Sequence, residues 1–395
     1  MNILFVTGVV HHKYGSLERH FVYLAAAARA RGHVPWVLTD TTPDQVAFLD
    51  DLRAAGAQVL LHPFFGDLVD EGGRIAPRSL ERNRAQAWTA ALLQLLMRER
   101  FDVVHAHFTP PAHLALAMAA ARRVPVRAWT LHSLPMVDGD GQVPARTKAL
   151  LLSSGHLAHA VLAVSGAVRD AYAALGVPSD RLRLGHLGVD VAAFARHEPT
   201  RAVVRGRLGW GEDAIVVGTV SRAEPVKDLA TLVAGFAAAR QQDSRLRLLV
   251  VGGGSLERDL RAQAAALGIE ADSHLLGYRN DVGDLLQAMD VFVMPSRLEG
   301  LSLGLIEAGA CSLPLLGSEV GGIPEAMAVG ESGWLFAPGD VARLTSHLLE
   351  MAANPQTRSA MGAAALADVQ ARHTVQGQAS RLLDLYETKL HAPPS

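Results

Sequence analysis

Two isolated glutamates, Glu299 and Glu307, stand eight positions apart in the stretch SRLEGLSLGLIEAG. Glycines, a serine and apolar residues separate them, without another charge. The pattern predicts a helix from Leu303, whose first-turn N–H groups have no partner within the helix and can bind an anion. A carboxylate repels phosphate but accepts hydrogen bonds from sugar hydroxyls, each worth about 1.5–3 kcal/mol. The stretch therefore predicts a phosphate site with sugar hydroxyls on either side of it.

Two cations, Arg222 and Lys227, stand close together in SRAEPVKD, directly after a predicted strand over residues 214–220. In an open α/β sheet, the carboxyl end of a strand faces the ligand site. Arginine offers a planar fork and lysine a point charge, a combination that suits a diphosphate. The alternative is a solvated loop with two unrelated cations.

The two glutamates could instead be the acid and the nucleophile of a glycosidase. A glycosidase must protonate an alkoxide leaving group. Arginine, lysine and a helix N-terminus would instead stabilise a leaving group that is already anionic, so we favour phosphate chemistry.

Glycines mark two further turns. In VVGGGSLERDL, Gly253 lies in a loop that would let the backbone approach a ligand closely. It is not a dinucleotide fingerprint, because Glu257 stands at the third glycine position, and no GK[ST] follows for a Walker loop. A tight turn with a capping serine explains this loop equally well. Gly15 and Ser16 open a helix predicted near Leu17, another candidate phosphate-facing N-terminus.

Histidines end two predicted strands, His107 in DVVHAHF and His132 in AWTLHSL. A lone histidine is usually a satisfied structural residue, an interpretation that also covers His105, His11 and His12. The H-x-H spacing could suggest a metal, but no carboxylate lies within two positions of either histidine, so no metal site is predicted.

Short apolar runs alternate with helical patterns along the chain, as in a parallel sheet with helices on both faces. The alternation pauses over residues 184–205, which are short on regular periodicity, and then restarts. We therefore predict two consecutive doubly wound α/β units, a boundary near residues 188–200 and a ligand cleft between the units. The predicted strands are residues 2–7, 34–39, 102–106, 126–130, 160–164, 214–220, 246–251, 273–276, 291–294 and 314–316.

Composition supports two globular domains and excludes several classes of protein. The chain has 395 residues, 49% of them hydrophobic, enough for two cores. A net charge of −2 gives no global signal for nucleic acid. The sole cysteine, Cys311, excludes an internal disulfide and a cysteine-based zinc site. No basic leader precedes the first apolar run and no stretch reaches the ~20 apolar residues of a membrane span, so we expect a cytoplasmic protein.

These motifs resemble the retaining glycosyltransferases of the GT-B fold, glycosyltransferase family 4 (group 1) type, over nearly the whole chain. The stretch SRLEGLSLGLIEAGACSLPLLGSEVGGIPE is similar to the family's E-x7-E motif and the Gly-Gly-Ile-Pro-Glu turn after it. The stretches FDVVHAHF, VSGAVRDAYAALGVPSDRLRL and GYRNDVGDLLQAMDVFVMPS also match, as does the turn at Gly15. The resemblance implies two Rossmann-like domains facing across a cleft, with the last helix crossing back to the first domain.

Three segments follow from this resemblance. Residues 1–190 would form an acceptor-binding domain, residues 191–373 a nucleotide-sugar donor-binding domain, and residues 374–395 the crossing helix. The sequence departs from the family pattern at Ser16, where a second glycine is common, and at Leu187, where asparagine is usual. The serine requires a negative φ in the turn, and neither change removes a donor-binding residue.

The resemblance also implies roles at single positions. Glu299 would contact hydroxyls of the transferred sugar, and Glu307 would hold the ribose hydroxyls of the nucleotide. Arg222 and Lys227 would bind the donor diphosphate, and His132 would lie beside the donor sugar. The remaining implied donor-binding residues are Gly15, Ser16, Gly253, Gly277, Tyr278, Arg279, Gly300, Leu301, Ser302 and Leu303.

The implied reaction is a retaining, metal-independent transfer of a sugar from a nucleotide diphosphate sugar to an acceptor hydroxyl, without a cofactor. A glycoside phosphorylase on the same fold and a non-catalytic nucleotide-sugar-binding protein are the alternatives. The acceptor is open among small molecules, glycans and lipid-linked sugars. A basic run indicates either a solvated helix face, which we favour, or contact with an anionic acceptor or the inner membrane face. The run consists of Arg74, Arg78, Arg82 and Arg84.

Overall fold

The structure is a computed structural model that describes residues 1–7, 15–39, 46–61, 78–108 and 111–391. Side chains are described in these ranges except at 78–87 and 111. The chain divides into two compact units. The first unit is Met1–His186 with Val375–Ser395, and the second unit is Leu187–Thr374.

The first unit contains a parallel sheet of seven described strands in the order β3-β2-β1-β4-β5-β6-β7. The central strand β4 is buried throughout, as expected for a strand with helices on both faces. The direction of winding reverses between β1 and β4, which creates a switch point at the carboxyl ends of the strands. The strands are β1 (Asn2–Val6), β2 (Val34–Thr39), β3 (Gln58–Leu61), β4 (Val103–His107), β5 (Val126–Leu131), β6 (Ala160–Ala163) and β7 (Leu182–Leu184).

The helices of the first unit include the last helix of the chain. That helix, α14 (Val375–His391), packs on α1 through a buried face that includes Leu382, Leu383 and Tyr386. An ion pair between Arg31 and Asp384 (2.6 Å) joins the two helices at the surface. The other helices are α1 (Ser16–Ala30), α2 (Val46–Ala54), α3 (Arg78–Arg98), α4 (Pro111–Ala121), α5 (Ala145–Leu157) and α6 (Gly166–Leu175).

The second unit contains a parallel sheet of six strands in the order β10-β9-β8-β11-β12-β13. Its winding reverses between β8 and β11, so the loops that follow these two strands lie at the switch point. The strands are β8 (Ile215–Val220), β9 (Leu246–Val251), β10 (Ser273–Leu275), β11 (Val291–Met294), β12 (Leu315–Ser318) and β13 (Gly333–Phe336). The helices are α7 (Glu198–Arg207), α8 (Leu229–Arg240), α9 (Glu257–Ala266), α10 (Val282–Ala288), α11 (Leu303–Ala310), α12 (Val341–Ala353) and α13 (Pro355–Arg372).

The predicted doubly wound α/β architecture is confirmed, but the expectation of an irregular segment over residues 184–205 is wrong. This segment leads into α7, a polar helix held by the buried Arg205, which pairs with Asp290 and donates to the Ala288 carbonyl at 3.1 Å. Hydrophobic periodicity gave no sign of it because an ion pair, not an apolar stripe, anchors it. The alternation also missed β3, β7 and β13, which are three- or four-residue strands at the edges of the sheets.

No helix in the described ranges is long and apolar enough to cross a membrane. The basic run identified in the sequence lies outside the residues whose side chains the structure describes. Arg74 falls outside the described residues, and Arg78, Arg82 and Arg84 lie on the part of α3 whose side chains are not described.

Candidate functional site

Helix α11 begins at Leu303, as predicted, next to the switch point of the second unit. Ser302 is its N-cap, and its Oγ accepts a hydrogen bond from the Leu305 N–H at 3.3 Å. Gly304 allows the helix to approach β8 closely, because a Cβ at this position would lie 2.9 Å from the Val220 carbonyl oxygen. The first turn of α11, which directly follows the implied donor-binding residues Gly300 to Ser302, is therefore fixed at the end of β8.

Lys227 and Glu299, predicted to hold the diphosphate and the sugar, form an ion pair in the structure. Lys227 Nζ donates to Glu299 Oε2, and both side chains are mostly buried, at 15% and 12% exposed. Ser296 Oγ donates to the same carboxylate oxygen at 3.2 Å. Cation and carboxylate thus occupy one spot beside the start of α11.

Asp228, which the sequence analysis did not single out, holds the loop that carries Lys227. It lies in the left-handed region, at φ 45° and ψ 43°, directly before α8. Its buried carboxylate accepts hydrogen bonds from Thr231 Oγ1 at 2.8 Å and pairs with the Arg297 guanidinium at 2.9 Å. The Arg297 N–H also donates to the Val226 carbonyl at 2.8 Å, which ties the two loops of the site together.

The sequence pattern over residues 227–241 predicts one continuous helix, and this prediction is wrong at its start. Lys227 ends a separate short turn, and α8 begins only at Leu229. The signal for this break was present in the sequence. An aspartate directly before an apolar helical run is typical of a helix N-cap.

The backbone of Glu299 is held by the glycine turn that follows the motif. Gly321 has a φ of +50°, and a Cβ there would lie 1.9 Å from the Glu299 carbonyl oxygen. The neighbouring Gly322 N–H donates to that oxygen at 3.2 Å. The Gly-Gly turn therefore acts as a backbone support for Glu299.

Arg222, the second predicted diphosphate ligand, lies just after β8 and is exposed. Across the described ranges, its side chain has no hydrogen bond or ion pair. An exposed guanidinium beside the switch point is free to turn toward an anion. Arg222 thus differs from Lys227, whose charge is already paired.

Gly253 lies in a loop that packs against the segment after β8. Its carbonyl accepts from the Ala223 N–H at 3.0 Å, and a Cβ at Gly253 would lie 2.7 Å from Glu257 Oε1. The Gly254 N–H donates to that same carboxylate oxygen at 3.0 Å. The Glu257 carboxylate therefore already accepts a hydrogen bond from a backbone N–H of this loop, which the sequence analysis treated as a candidate phosphate site.

Gly277, Tyr278 and Arg279 border the same loop. The Gly277 carbonyl accepts from the Gly252 N–H at 2.8 Å. Tyr278 is half exposed, and Arg279 pairs with Asp281 at 2.6 Å on the surface. The segment thus presents one aromatic ring and main chain at the edge of the site.

Glu307 is almost fully buried on α11, one turn beyond Leu303, and it has an interaction partner. A buried carboxylate is stable only when it is hydrogen-bonded or paired. Gly300, Leu301 and Ser302 are also buried, whereas Glu299, Leu303 and Gly304 are half-buried.

His132 follows β5 in the first unit and contacts His107, the last residue of the adjacent β4. His132 Nε2 lies 2.9 Å from His107 Nδ1, and the His132 ring stacks on Phe108 with centroids 4.3 Å apart. Burial lowers the pKa of His132 well below its usual range, and His20 and His105 act in the same direction. Burial lowers the pKa of His107 well below its usual range as well, so both paired rings are neutral at physiological pH.

Gly15 and Ser16 lie at the start of α1, and an acidic side chain already caps this end. The Gly15 N–H donates to Glu18 Oε2 at 2.9 Å, and Gly15 has an ordinary φ of −115°. His11 and His12 lie outside the described residues. In the parts of the chain that the structure describes, no cluster of three or more His, Cys, Asp or Glu could hold a metal ion.

Two parallel-sheet Rossmann-like units, each with its site residues after the strands, define the GT-B class of fold. Anabaena HepE, solved in complex with UDP and glucose, matches with a TM-score of 0.81 and 21% identity, covering 98% of this chain and 100% of that one. Sucrose-phosphate synthase from Thermosynechococcus elongatus matches with a TM-score of 0.79 and 20% identity, covering 98% and 99%.

Sequence comparison identifies the family within this class. Residues 17–193 match Glycosyltransferase Family 4, and residues 201–368 match Glycosyl transferases group 1. A GDP-mannose-dependent alpha-(1-6)-phosphatidylinositol monomannoside mannosyltransferase of Mycolicibacterium smegmatis is 31% identical over 346 residues, 79% of this chain and 89% of the relative. A D-inositol 3-phosphate glycosyltransferase of Stackebrandtia nassauensis is 31% identical over 313 residues, 72% and 68%.

The chain belongs to glycosyltransferase family 4, group 1 type. It is therefore a glycosyltransferase, an enzyme that transfers a sugar from a nucleotide sugar.

Proposed function

We propose that this enzyme is a retaining, metal-independent hexosyltransferase whose nucleotide diphosphate sugar binds in the second unit. The observation that carries the proposal is the Lys227–Glu299 ion pair beside the first turn of α11. The pair puts a cation for phosphate and an acceptor for sugar hydroxyls at one point. The exposed Arg222 adds a second cation nearby.

Departure of the nucleoside diphosphate creates negative charge that Arg222, Lys227 and the α11 amides would stabilise. Preorganised charge of this kind is usually the largest single contribution to catalysis. Lys227 would exchange its contact with Glu299 for the diphosphate, which frees the Glu299 carboxylate to accept from sugar hydroxyls. Glu307 would hold the ribose, and residues 277–279 the base.

Retention follows in this proposal from substitution on one face of the sugar. The bond between the anomeric carbon and the diphosphate oxygen breaks, and the bond to the acceptor oxygen forms on the same face. The acceptor proton passes to the departing diphosphate oxygen. This scheme needs no covalent nucleophile, because the freed Glu299 carboxylate accepts hydrogen bonds from the sugar hydroxyls.

The relatives suggest which donors and acceptors to test first. One relative is named for GDP-mannose and a phosphatidylinositol mannoside, another for inositol 3-phosphate, and the HepE structures contain UDP and glucose. We propose a hexose donor carried by GDP or UDP and an acceptor that contains an inositol or a phosphate. The cytoplasmic location and the absence of a cofactor stay predictions.

The test is a thermal-shift panel of UDP, GDP, ADP and TDP sugars, followed by transfer assays with the sugar that binds. The anomeric configuration of the product is read by NMR, and the assay is repeated with EDTA. Arg222→Ala should lower turnover by about 100-fold, whereas Arg343→Ala, an exposed arginine on α12, should not. An inverted product, EDTA inactivation or phosphate-dependent cleavage of a disaccharide would each contradict the proposal.

A further inference from the structure

His107 lies deep in the first unit, within a group of buried rings that the donor site does not use. Its ring centroid lies 4.2 Å from that of His105, 4.8 Å from that of Phe21 and 6.4 Å from that of His20. Its Nδ1 faces His132 Nε2 at 2.9 Å, while its own Nε2 is buried without a hydrogen-bond partner in the described ranges. The one polar contact described for the His107 ring is thus the one to His132.

The orphan nitrogen indicates which ring carries the shared proton. Two neutral imidazoles can share one hydrogen bond in two ways. If His132 donated, the buried His107 Nε2 would carry an N–H without a partner, a rare arrangement in folded proteins. If His107 Nδ1 donates, its orphan Nε2 carries only a lone pair, and His132 has its proton on Nδ1.

We propose that His107 is a positioning residue that fixes the tautomer and the ring orientation of His132, so that His132 presents Nδ1–H as a donor to the substrate. The stacked Phe108 packs against one face of the His132 ring. In the described ranges His132 Nδ1 has no partner, as a substrate-facing donor requires. The catalytic part of this inference rests on the proposed function, because it assumes that His132 contacts the substrate.

The last helix of the chain supports His107 through His105. Tyr386 on α14 is hydrogen-bonded to His105 Nδ1, and His105 Nε2 lies 2.7 Å from Thr130 Oγ1. Both nitrogens of His105 are satisfied, so its ring is fixed and provides a rigid surface for His107. Tyr386 thereby links the end of the chain to the orientation of His132 within the first unit.

The first test needs neither substrate nor variant activity. The protein is labelled with ¹⁵N-histidine, long-range ¹H–¹⁵N spectra are recorded, and the His132 signals are assigned by their loss in His132→Gln. We expect a pyrrole-type Nδ1 and a pyridine-type Nε2 at His132. A protonated Nε2 in the wild-type spectrum would overturn the proposal.

The second test uses turnover. His107→Phe keeps a planar ring without a donor, and we expect kcat to fall about 10- to 100-fold with a smaller change in the donor KM. In His107→Asn the amide Nδ2 lies near the position of Nδ1, so most of the loss should be recovered. His20→Phe, a matched control from the same buried group, should stay close to wild type.

The outcomes separate the two proposals. Wild-type turnover in a folded His107→Phe, or an equal loss in His20→Phe, would overturn the positioning role. Failure of the wild-type enzyme to transfer any sugar would contradict the proposed function instead, and the NMR result would still decide the tautomer. Circular dichroism confirms folding of each variant before the assays.

Discussion

Lys227 and Glu299, separated by 72 positions in the chain, form a mostly buried ion pair beside the first turn of α11. In the free protein each residue neutralises the charge that the other would offer to a donor. Burying either charge alone would be unfavourable, so each side chain stabilises the other in its mostly buried position.

Glu299→Gln should strengthen the binding of free UDP or GDP while weakening the binding of the whole nucleotide sugar. Loss of the carboxylate releases Lys227 for the diphosphate, and we expect about a 5-fold lower Kd for the nucleoside diphosphate, near 1 kcal/mol. Isothermal titration with the two ligands measures both effects. If the Kd values of the nucleoside diphosphate and of the nucleotide sugar changed in the same direction, a contact between Glu299 and the sugar would be contradicted.

Lys227→Ala should lower turnover by about 100- to 1,000-fold, because the leaving group loses a cation and meets an unpaired carboxylate. The double variant Lys227→Ala/Glu299→Gln should bind nucleoside diphosphate better than Lys227→Ala alone, since the repelling charge is gone. The comparison is a double-mutant cycle on diphosphate affinity. Strict additivity of the two changes would contradict the coupling of these side chains.

Asp228→Ala should destabilise the second unit by about 1–2 kcal/mol and weaken donor binding, because it removes the acceptor for Thr231 and Arg297. Asp228→Gly removes the same carboxylate but suits the left-handed backbone. We therefore expect the glycine variant to be the more stable of the two, with donor affinity lowered in both. Urea midpoints and titrations measure the two quantities. Equal donor affinity in the alanine variant and the wild type would contradict the role of the Asp228 carboxylate.

Gly321→Ala should be strongly destabilising and should also disturb donor binding. A Cβ there would lie 1.9 Å from the Glu299 carbonyl oxygen, so the turn or Glu299 must move. Gly268→Ala is a matched control, because Gly268 also has a positive φ, of +69°, but open space at its Cβ. In urea unfolding, Gly268→Ala should lower the free energy of unfolding by only about 1 kcal/mol, which is the cost of a positive φ for a residue with a Cβ. A similar loss in both variants would show that the clash with Glu299 relaxes freely.

Acid should destabilise the first unit through its buried histidines. Burial lowers the pKa of His20 to about 4 and, with a contribution from His20, that of His105 to about 3. An unfolded histidine titrates near 6.5, so the unfolded state binds more protons below that pH. The stabilisation is complete above about pH 6.5 and is lost by about 1.4 kcal/mol per pH unit for each histidine as the pH falls toward the folded values.

The matched variant for this prediction is His20→Phe. The free energy of unfolding is measured in urea at several pH values between about 7.5 and 5. Its slope against pH should be shallower in the variant, because one titrating group is removed. A slope equal to that of the wild type would show that His20 does not titrate on unfolding.

Local pattern determined much of the architecture. The strand–helix alternation predicted both parallel sheets, and the start of α11 at Leu303 agrees with the prediction. Periodicity and capping are properties of adjacent residues, so one sequence displays them. The edge strands and α7 escaped prediction because their stability comes from neighbours distant in the chain, such as Asp290 for Arg205.

The sequence by itself determined that Arg222, Lys227, Glu299 and His132 follow strands, where an α/β sheet places ligand-binding residues. Only the tertiary structure decided that Lys227 contacts Glu299, and that His107 faces His132 across adjacent strands. Strand order sets these contacts, and strand order results from the packing of the whole unit. For this reason the sequence could predict which residues belong to the site, but not which of their side chains contact each other.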